Sequence, residues 1–312
     1  MSRTHLVARQ LQDTALRYFL EVVRCGSISE ASARLNVAGS SISRHITQLE
    51  SLLGAPLFER HRRGMIPSAA GEMLAVHALK AAHEAERAVY DIEALQGMHR
   101  GRVKIAASEG FALEFLPKLI AEFVKVHPGI KFYLGVHTPV ETTRRVQTGD
   151  ADIGITMSRA PQTGVNVAYL QASPVMAIMR HGHPLAGFDS IKLAQLEGYP
   201  LALPETSTTV RQLFDIAVSR QRLPLEATLT CNYTSSLIGF LRYHDGITIA
   251  GELTVRNQVS RGELACVRLS DPGLELRNIE VQTMEGRTLS RAGQAFLEFL
   301  VAQLAEDEKP AD

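Results

Sequence analysis

The chain has 312 residues, 33 Lys+Arg against 33 Asp+Glu, 45% hydrophobic residues, three Cys and no Trp, the composition of a globular protein of two or three domains. A formal net charge of zero shows no overall excess of base for nucleic acid, and no run approaches the roughly 18 apolar residues of a membrane span. The opening MSRTHLVARQLQDTALRYFL lacks the apolar core of a secretory signal, so a cytoplasmic protein with no membrane partner is expected.

Divided by segment, the charge is uneven. Residues 1–66 hold nine bases and five acids, a net of +4, while 67–100 and 101–312 each carry −2. A small basic module ahead of a larger, mildly acidic body is what a nucleic-acid head on a separate domain would produce.

The head, expected over 1–67, reads as consecutive short helices. Over 14–24, Ala15, Leu16, Phe19, Leu20, Val22 and Val23 recur at helical spacing, and Gly26-Ser27 ends that helix and caps the next. A second helix from about Ser29 to Leu35 buries Ala31, Ala33 and Leu35; Cys25 lies just before it, and Asn36-Val37-Ala38-Gly39 forms the turn after it. A third helix, from near Ser40, carries Ile42, Ile46 and Leu49 inward and Ser41, Arg44, His45 and Gln48 outward. This is the helix-turn-helix pattern. Its last helix enters the major groove, where Arg can read guanine and Gln adenine; the same polar face is equally an ordinary solvated surface. Leu57-Phe58-Glu59-Arg60 then leads into His61-Arg62-Arg63-Gly64-Met65-Ile66, a basic wing suited to phosphate contact or, alternatively, a solvated basic turn.

At this point 15–72 resembles the winged helix-turn-helix of the LysR-type transcriptional regulators. The matching residues are Leu16-Arg17-Tyr18-Phe19, Gly26-Ser27-Ile28-Ser29, Ala31, Leu35, Ile42-Ser43-Arg44, Ile46, Leu49-Glu50, Leu53-Gly54, Pro56-Leu57-Phe58-Glu59-Arg60 and Ala70-Gly71-Glu72. The resemblance implies double-stranded operator DNA as partner; the expected contacts are Ser27, Ser43, Arg44 and Arg60 at matching positions, with Ser40, Ser41, His45 and Gln48 of the outer helix face and Arg62 and Arg63 of the basic wing. Where the family usually has Ser-Gln this chain has Ala38-Gly39, which shifts base reading toward Ser40, Ser41, Arg44 and His45. Pro67-Ser68 replaces the usual Leu-Thr and keeps a hydroxyl to cap the next helix.

A linker helix is expected over 68–98. Leu74, Ala78, Ala81, Ala85, Ala88, Ile92 and Leu95 form a heptad seam rich in Ala. At about 1.5 Å per residue the helix is roughly 40 Å long, which favours an intersubunit pair over packing on its own domain. The resemblance agrees and implies a homodimer or homotetramer, with Gly97 and Gly101 marking the hinge to the body.

The body, 101–305, alternates strands and helices. Strands are expected at 103–107, 131–136, 152–156, 175–179, 201–203 and 246–250, giving two parallel α/β subdomains: I over about 101–168 and 268–305, II over about 169–267. Ligands in such folds bind outside the carboxyl ends of strands. Ser108, Thr138, Thr206-Ser207-Thr208-Thr209 and Thr234-Ser235-Ser236 sit at those junctions, as ligand contacts or as ordinary helix caps. Leu116-Pro117, Phe123, His127-Pro128, Ile130, Val146, Gly149, Ala151-Asp152-Ile153-Gly154 and Gly246-Ile247 extend the resemblance to the family's effector-binding domain, whose fold is similar to periplasmic binding proteins. It implies a small-molecule effector contacted by Ser108, Thr138, Thr206, Ser207 and Thr208; with Glu109 beside that site and Ser235 at the fourth junction as further candidate contacts, a small carboxylate is the expected ligand. Glu109 is unusual beside an anion site; it suits a ligand with a donor or cationic group, or stabilises a helix N-terminus through the dipole.

Cys25, Cys231 and Cys266 contain no CxxC pair and read as small buried hydrophobes, with a Cys231–Cys266 redox switch as the other reading. His181-Gly182-His183 has no carboxylate or Cys cluster near it, so no metal is expected. No catalytic motif occurs, so neither cofactor nor enzymatic activity is expected. The sum is a winged helix-turn-helix, a linker helix and a two-subdomain α/β body: an effector-controlled transcriptional regulator, with RNA polymerase as a further partner that the resemblance admits. The body alone would also suit a small-solute-binding receptor without DNA function, against which the basic head and the missing export signal argue.

Overall fold

Asp13 starts α1 (Thr14–Cys25) by accepting hydrogen bonds from the Ala15 and Leu16 amides at 2.8 and 3.1 Å. Its replacement by Ala should cost about 1 kcal/mol of head stability, the usual loss for a side-chain cap, measurable as a shift in the urea midpoint. The computed structural model describes Leu11 and residues 13–61, 64–95 and 101–306. Two units result, one running up to Gly101 with Gly286–Arg291, the other formed by the rest of the chain from Arg102.

In the first unit, α2 (Ile28–Leu35) and α3 (Gly39–Leu53) follow α1. Phe19, Val22, Ala31, Ile42 and Leu57 are fully buried between them, so the apolar periodicity has become the core of a three-helix cluster. Ala33, expected inside, is exposed; α2 is too short to bury both Ala31 and Ala33, which point to different faces. The turn into α3 uses Asn36 at φ 55°, and the Ser32 hydroxyl donates to the Val37 carbonyl at 2.6 Å. Gly39 is simply the first residue of α3.

The wing is a hairpin of β1 (Phe58–His61) and β2 (Gly64–Pro67), paired antiparallel. Phe58 packs its ring 5.3 Å from that of Phe19, and the Met65 amide donates to the Gly26 carbonyl at 2.8 Å. Ser68 caps α4 (Ala69–Leu95) through the Gly71 amide at 3.1 Å. Along the heptad seam of α4, Ala78 is buried, Leu74, Ala81 and Ala85 are half-buried, Ala88 is exposed and Ile92 is 53% exposed.

The second unit holds two sheets. In chain order the first subdomain contributes β3 (Gly101–Ala107), α5 (Glu109–Ala112), α6 (Phe115–Val126), β4 (Ile130–Val136), α7 (Pro139–Gln147), β5 (Ile153–Ser158) and β6 (Val165–Ala172). The second adds β7 (Met176–Arg180), β8 (Ser190–Ile191), β9 (Leu201–Pro204), α8 (Thr209–Gln221), β10 (Ala227–Cys231), α9 (Thr234–Tyr243), β11 (Ile247–Ala250), α10 (Glu252–Ser260) and β12 (Leu264–Leu269). The chain then returns to the first with β13 (Asn278–Met284) and α11 (Arg291–Glu306).

Strand order is β4-β3-β5-β13-β6 in one sheet and β10-β9-β11-β7-β12-β8 in the other. The sheets are mixed, not wholly parallel as the strand–helix alternation suggests: β13 runs antiparallel to β5 and β6, and β7 antiparallel to β11 and β12. These strands enter after a crossing between sheets, so the crossover helix that enforces parallel pairing within one sheet does not apply. β6 also extends the first sheet to Ala172 and β12 the second to Leu269, later than the expected switches after 168 and 267. The side chains of β6 are mostly exposed or half-buried, so its apolar run Val167-Ala168-Tyr169-Leu170 does not mark a buried core strand.

Candidate functional site

On the head, α3 presents Ser40, Arg44 and Gln48, each four residues from the next, as one exposed stripe with Thr47 beside it. His45 departs from its expected outward position. Its Nδ1 lies 2.8 Å from the Ser41 carbonyl oxygen and its ring stands edge-on to Tyr18 at 5.1 Å, because an imidazole long enough to reach an aromatic neighbour gains contact there. Ser41 and Ser43 are half-buried. The Ser27 hydroxyl oxygen accepts from the Glu30 amide at 3.5 Å, as a helix cap. Arg60 stands in β1 opposite Met65, and Arg62 and Arg63 lie outside the described residues.

Two features of the head are not evident from motif spacing. Ala38 leaves α3 without a side-chain cap; the Ser41 amide donates to the Ala38 carbonyl at 3.0 Å, which leaves the Gly39 and Ser40 amides to face an anion. Glu50 of α3 accepts from the Leu57 amide at 2.8 Å, tying α3 to the start of the wing.

In the second unit, a cleft of about 390 Å³ opens between the two sheets, where the strand ends and helix starts converge. Ser108, Glu109, Thr138, Ser207 and Thr208 line it; Thr206 and Ser235 are exposed and are not among the lining residues. Successive residues of a turn point in different directions, and a hydroxyl cluster in the sequence does not say which members face inward.

The hydroxyls divide by role. Thr138 accepts from the Glu141 amide at 3.3 Å and Thr208 from the Arg211 amide at 3.4 Å, each capping its helix. Ser108 caps nothing; its hydroxyl pairs with that of Thr156 at 2.9 Å. Glu109 crosses the cleft, its Oε2 accepting from the Thr234 amide at 2.8 Å and hydroxyl at 3.1 Å. A carboxylate of the first subdomain thus occupies the N-terminus of α9 in the second.

Sequence reading missed several lining residues, including His137, Cys231, Tyr233, Thr254 and Arg277. Burial, then the nearby Arg145, pulls the His137 pKa below its ordinary value. The glycines of the cleft have a spatial reason: a Cβ on Gly110 would lie 2.6 Å from the Thr254 hydroxyl, and one on Gly251 would lie 2.8 Å from Arg277 Nη2. Arg277 sits in the segment leading back to β13, too far along the chain from any motif to be associated with the cleft.

Cys231 ends β10 and lines the cleft, while Cys266 lies in β12, four strand positions away. At the usual strand spacing that is about 19 Å, beyond disulfide reach. Burial pushes the Cys266 thiol up to about 12. His183 is buried, accepts from the Leu185 amide at 3.1 Å and packs on Tyr199 at 4.6 Å. Among the described residues no group of three or more His, Cys, Asp or Glu could hold a metal ion, and no helix is long and apolar enough to cross a membrane.

Comparison with known proteins matches both units. Residues 14–72 match the family model of the bacterial regulatory helix-turn-helix protein, lysR family, and residues 96–305 that of the LysR substrate binding domain. The RuBisCO operon transcriptional regulator of Acidithiobacillus ferrooxidans is 24% identical over 99% of this chain and 97% of its own length. In fold, the chain is similar to full-length OxyR of Pseudomonas aeruginosa, with TM-score 0.65, 19% identity and coverage of 92% of this chain and 93% of that one. It is also similar to full-length CbnR in complex with its target DNA, with TM-score 0.53, 18% identity and coverage of 93% and 98%.

Proposed function

The chain belongs to the LysR family of bacterial regulatory helix-turn-helix proteins, and from that premise we propose how this DNA-binding transcriptional regulator engages DNA and effector. The exposed Ser40, Arg44 and Gln48 stripe of α3 enters the major groove, with Arg60, Arg62 and Arg63 of the wing against phosphate. A small carboxylate effector occupies the cleft between the two subdomains. Two or four chains assemble through the seam of α4, which doubles a head whose charge of +4 is modest for phosphate contact alone. Regulation in the cytoplasm, by recruiting or obstructing RNA polymerase, requires only that the effector bind two arrangements with different affinity. No catalytic role is assigned.

The observation that carries the reading is the exposed stripe on α3, a helix whose N-terminus has no side-chain cap and which is fastened to the wing by Glu50. Gel-shift titration against DNA upstream of the chain's own gene, and against selected sequences, should reveal specific, salt-sensitive binding. Arg44→Ala should weaken that binding by about 1–3 kcal/mol. An unchanged affinity would assign Arg44 to the solvated face, and no specific DNA at all would remove the reading. A solute receptor without DNA function would leave both family-matched head and wing unused.

A further inference from the structure

The charged groups around the cleft leave one cation unmatched. Arg277 is 3% exposed. Its Nε donates to the Ser173 carbonyl at 2.7 Å and its Nη2 to the Pro174 carbonyl at 3.3 Å. Among the described residues Nη1 has no protein partner and no carboxylate pairs with the guanidinium. Burial alone pulls its pKa down to about 10, with no neighbouring charge contributing. A guanidinium held this deep without an anion is costly unless a ligand completes it.

Beside it lies an open helix end. Four helices of eight or more residues begin at the cleft: α7 and α8 are capped by Thr138 and Thr208, and α9 receives Glu109. The fourth, α10, begins at Gly251 with no side-chain cap. Glu252 in its first turn is turned to Arg256 through two hydrogen bonds of 2.7 Å. Because Gly251 lacks a Cβ, the Arg277 guanidinium can lie directly against this helix end: a Cβ there would be 2.8 Å from its Nη2.

We propose that Arg277 and the N-terminus of α10 form a monoanion site, and that the effector is a monocarboxylic acid with an apolar body. The guanidinium and the helix amides supply donors for one carboxylate. A second carboxylate would meet Glu109 and Glu205, the two acids of the lining, and burial, which lowers the basicity of His137, disfavours that ring as a countercharge. The rest of the molecule would meet Phe111, Val136, Met157 and Ile249. This inference rests on the cleft being the effector site and adds the charge and residue that select the ligand.

The test uses the full chain with matched probes, hexanoate against hexanamide and benzoate against benzamide, at constant ionic strength. The carboxylates should raise the wild-type melting temperature by about 3 °C at tenfold saturation, and the amides should not. R277Q should lose the response and R277K retain part of it. Because R277Q could unfold, the wild-type comparison decides independently: no carboxylate exceeding its amide, or R277Q responding as wild type does, overturns the proposal. Gel shifts run on the same proteins separate this from the regulator reading. Retained DNA binding with a cleft that prefers neutral probes removes only the monoanion site, whereas loss of specific DNA binding in the wild type removes the regulator.

Discussion

Phe296→Ala should lower the stability of the second unit by about 3–5 kcal/mol, the cost of deleting a large buried ring. Phe296 is 0% exposed, with its ring centroid 5.2 Å from Phe123 and 4.8 Å from Phe132. Phe123, Phe132 and Phe296 come from α6, β4 and α11, so one truncation removes contacts that join both flanking helices to the sheet. The rings meet edge to face, adding to the burial of their area. Function should follow, because β4 leads directly to His137 and Thr138 in the cleft. Chemical denaturation gives the stability change, and effector-dependent melting should be lost before DNA binding is. A loss below about 1 kcal/mol would mean that the neighbours collapse into the space, which close packing makes costly.

The second large effect reverses a common rule. Exchanging a helical Gly for Ala ordinarily stabilises by roughly 0.5–1 kcal/mol, yet Gly71→Ala should destabilise the head by about 3 kcal/mol through overpacking. A Cβ at position 71 would overlap the Leu57 carbonyl oxygen and come within 3.3 Å of Pro67. That carbonyl is held by the Ser68 amide at 3.0 Å, so it cannot withdraw without shifting the junction of wing and linker. Thermal unfolding and DNA affinity should both be impaired. An alanine variant as stable as wild type would show that this junction yields more readily than its hydrogen bonds imply.

Much of the architecture was legible because each segment carried its own period. Phe19, Val22, Ile42 and Ile46 mark the inner faces of helices, and Val103, Ile105 and Ile153 the buried strands, by spacing alone. What spacing does not carry is direction after a long excursion, hence the antiparallel setting of β7 and β13. It also does not carry contacts between distant residues. Ser108, Thr138 and Thr208 were readable as junction hydroxyls, but their division into caps and a paired hydroxyl depends on atoms at Glu141, Arg211 and Thr156. Arg277 was invisible because its environment is built by Ser173, Pro174 and Gly251, none of which neighbours it in sequence. His45 shows the opposite failure: helical period placed it outward, and the reach of its ring brought it to Tyr18.

The two sheets of the second unit are joined by only two passages, 173–175 and 270–277, and these passages are stitched together. The Ser173 amide donates to the Arg277 carbonyl at 3.0 Å, the Val175 amide to the Leu274 carbonyl at 2.8 Å, and the Arg277 side chain returns to Ser173. A single tether would let one lobe swing in any direction, and three spread apart would nearly immobilise it. Two bound side by side leave chiefly one rotational degree of freedom, about a line running along the pair. Arg277 lies on that line, so a charge added there acts at the pivot with almost no lever arm, whereas the Glu109 bridge to Thr234 acts away from it and has torque.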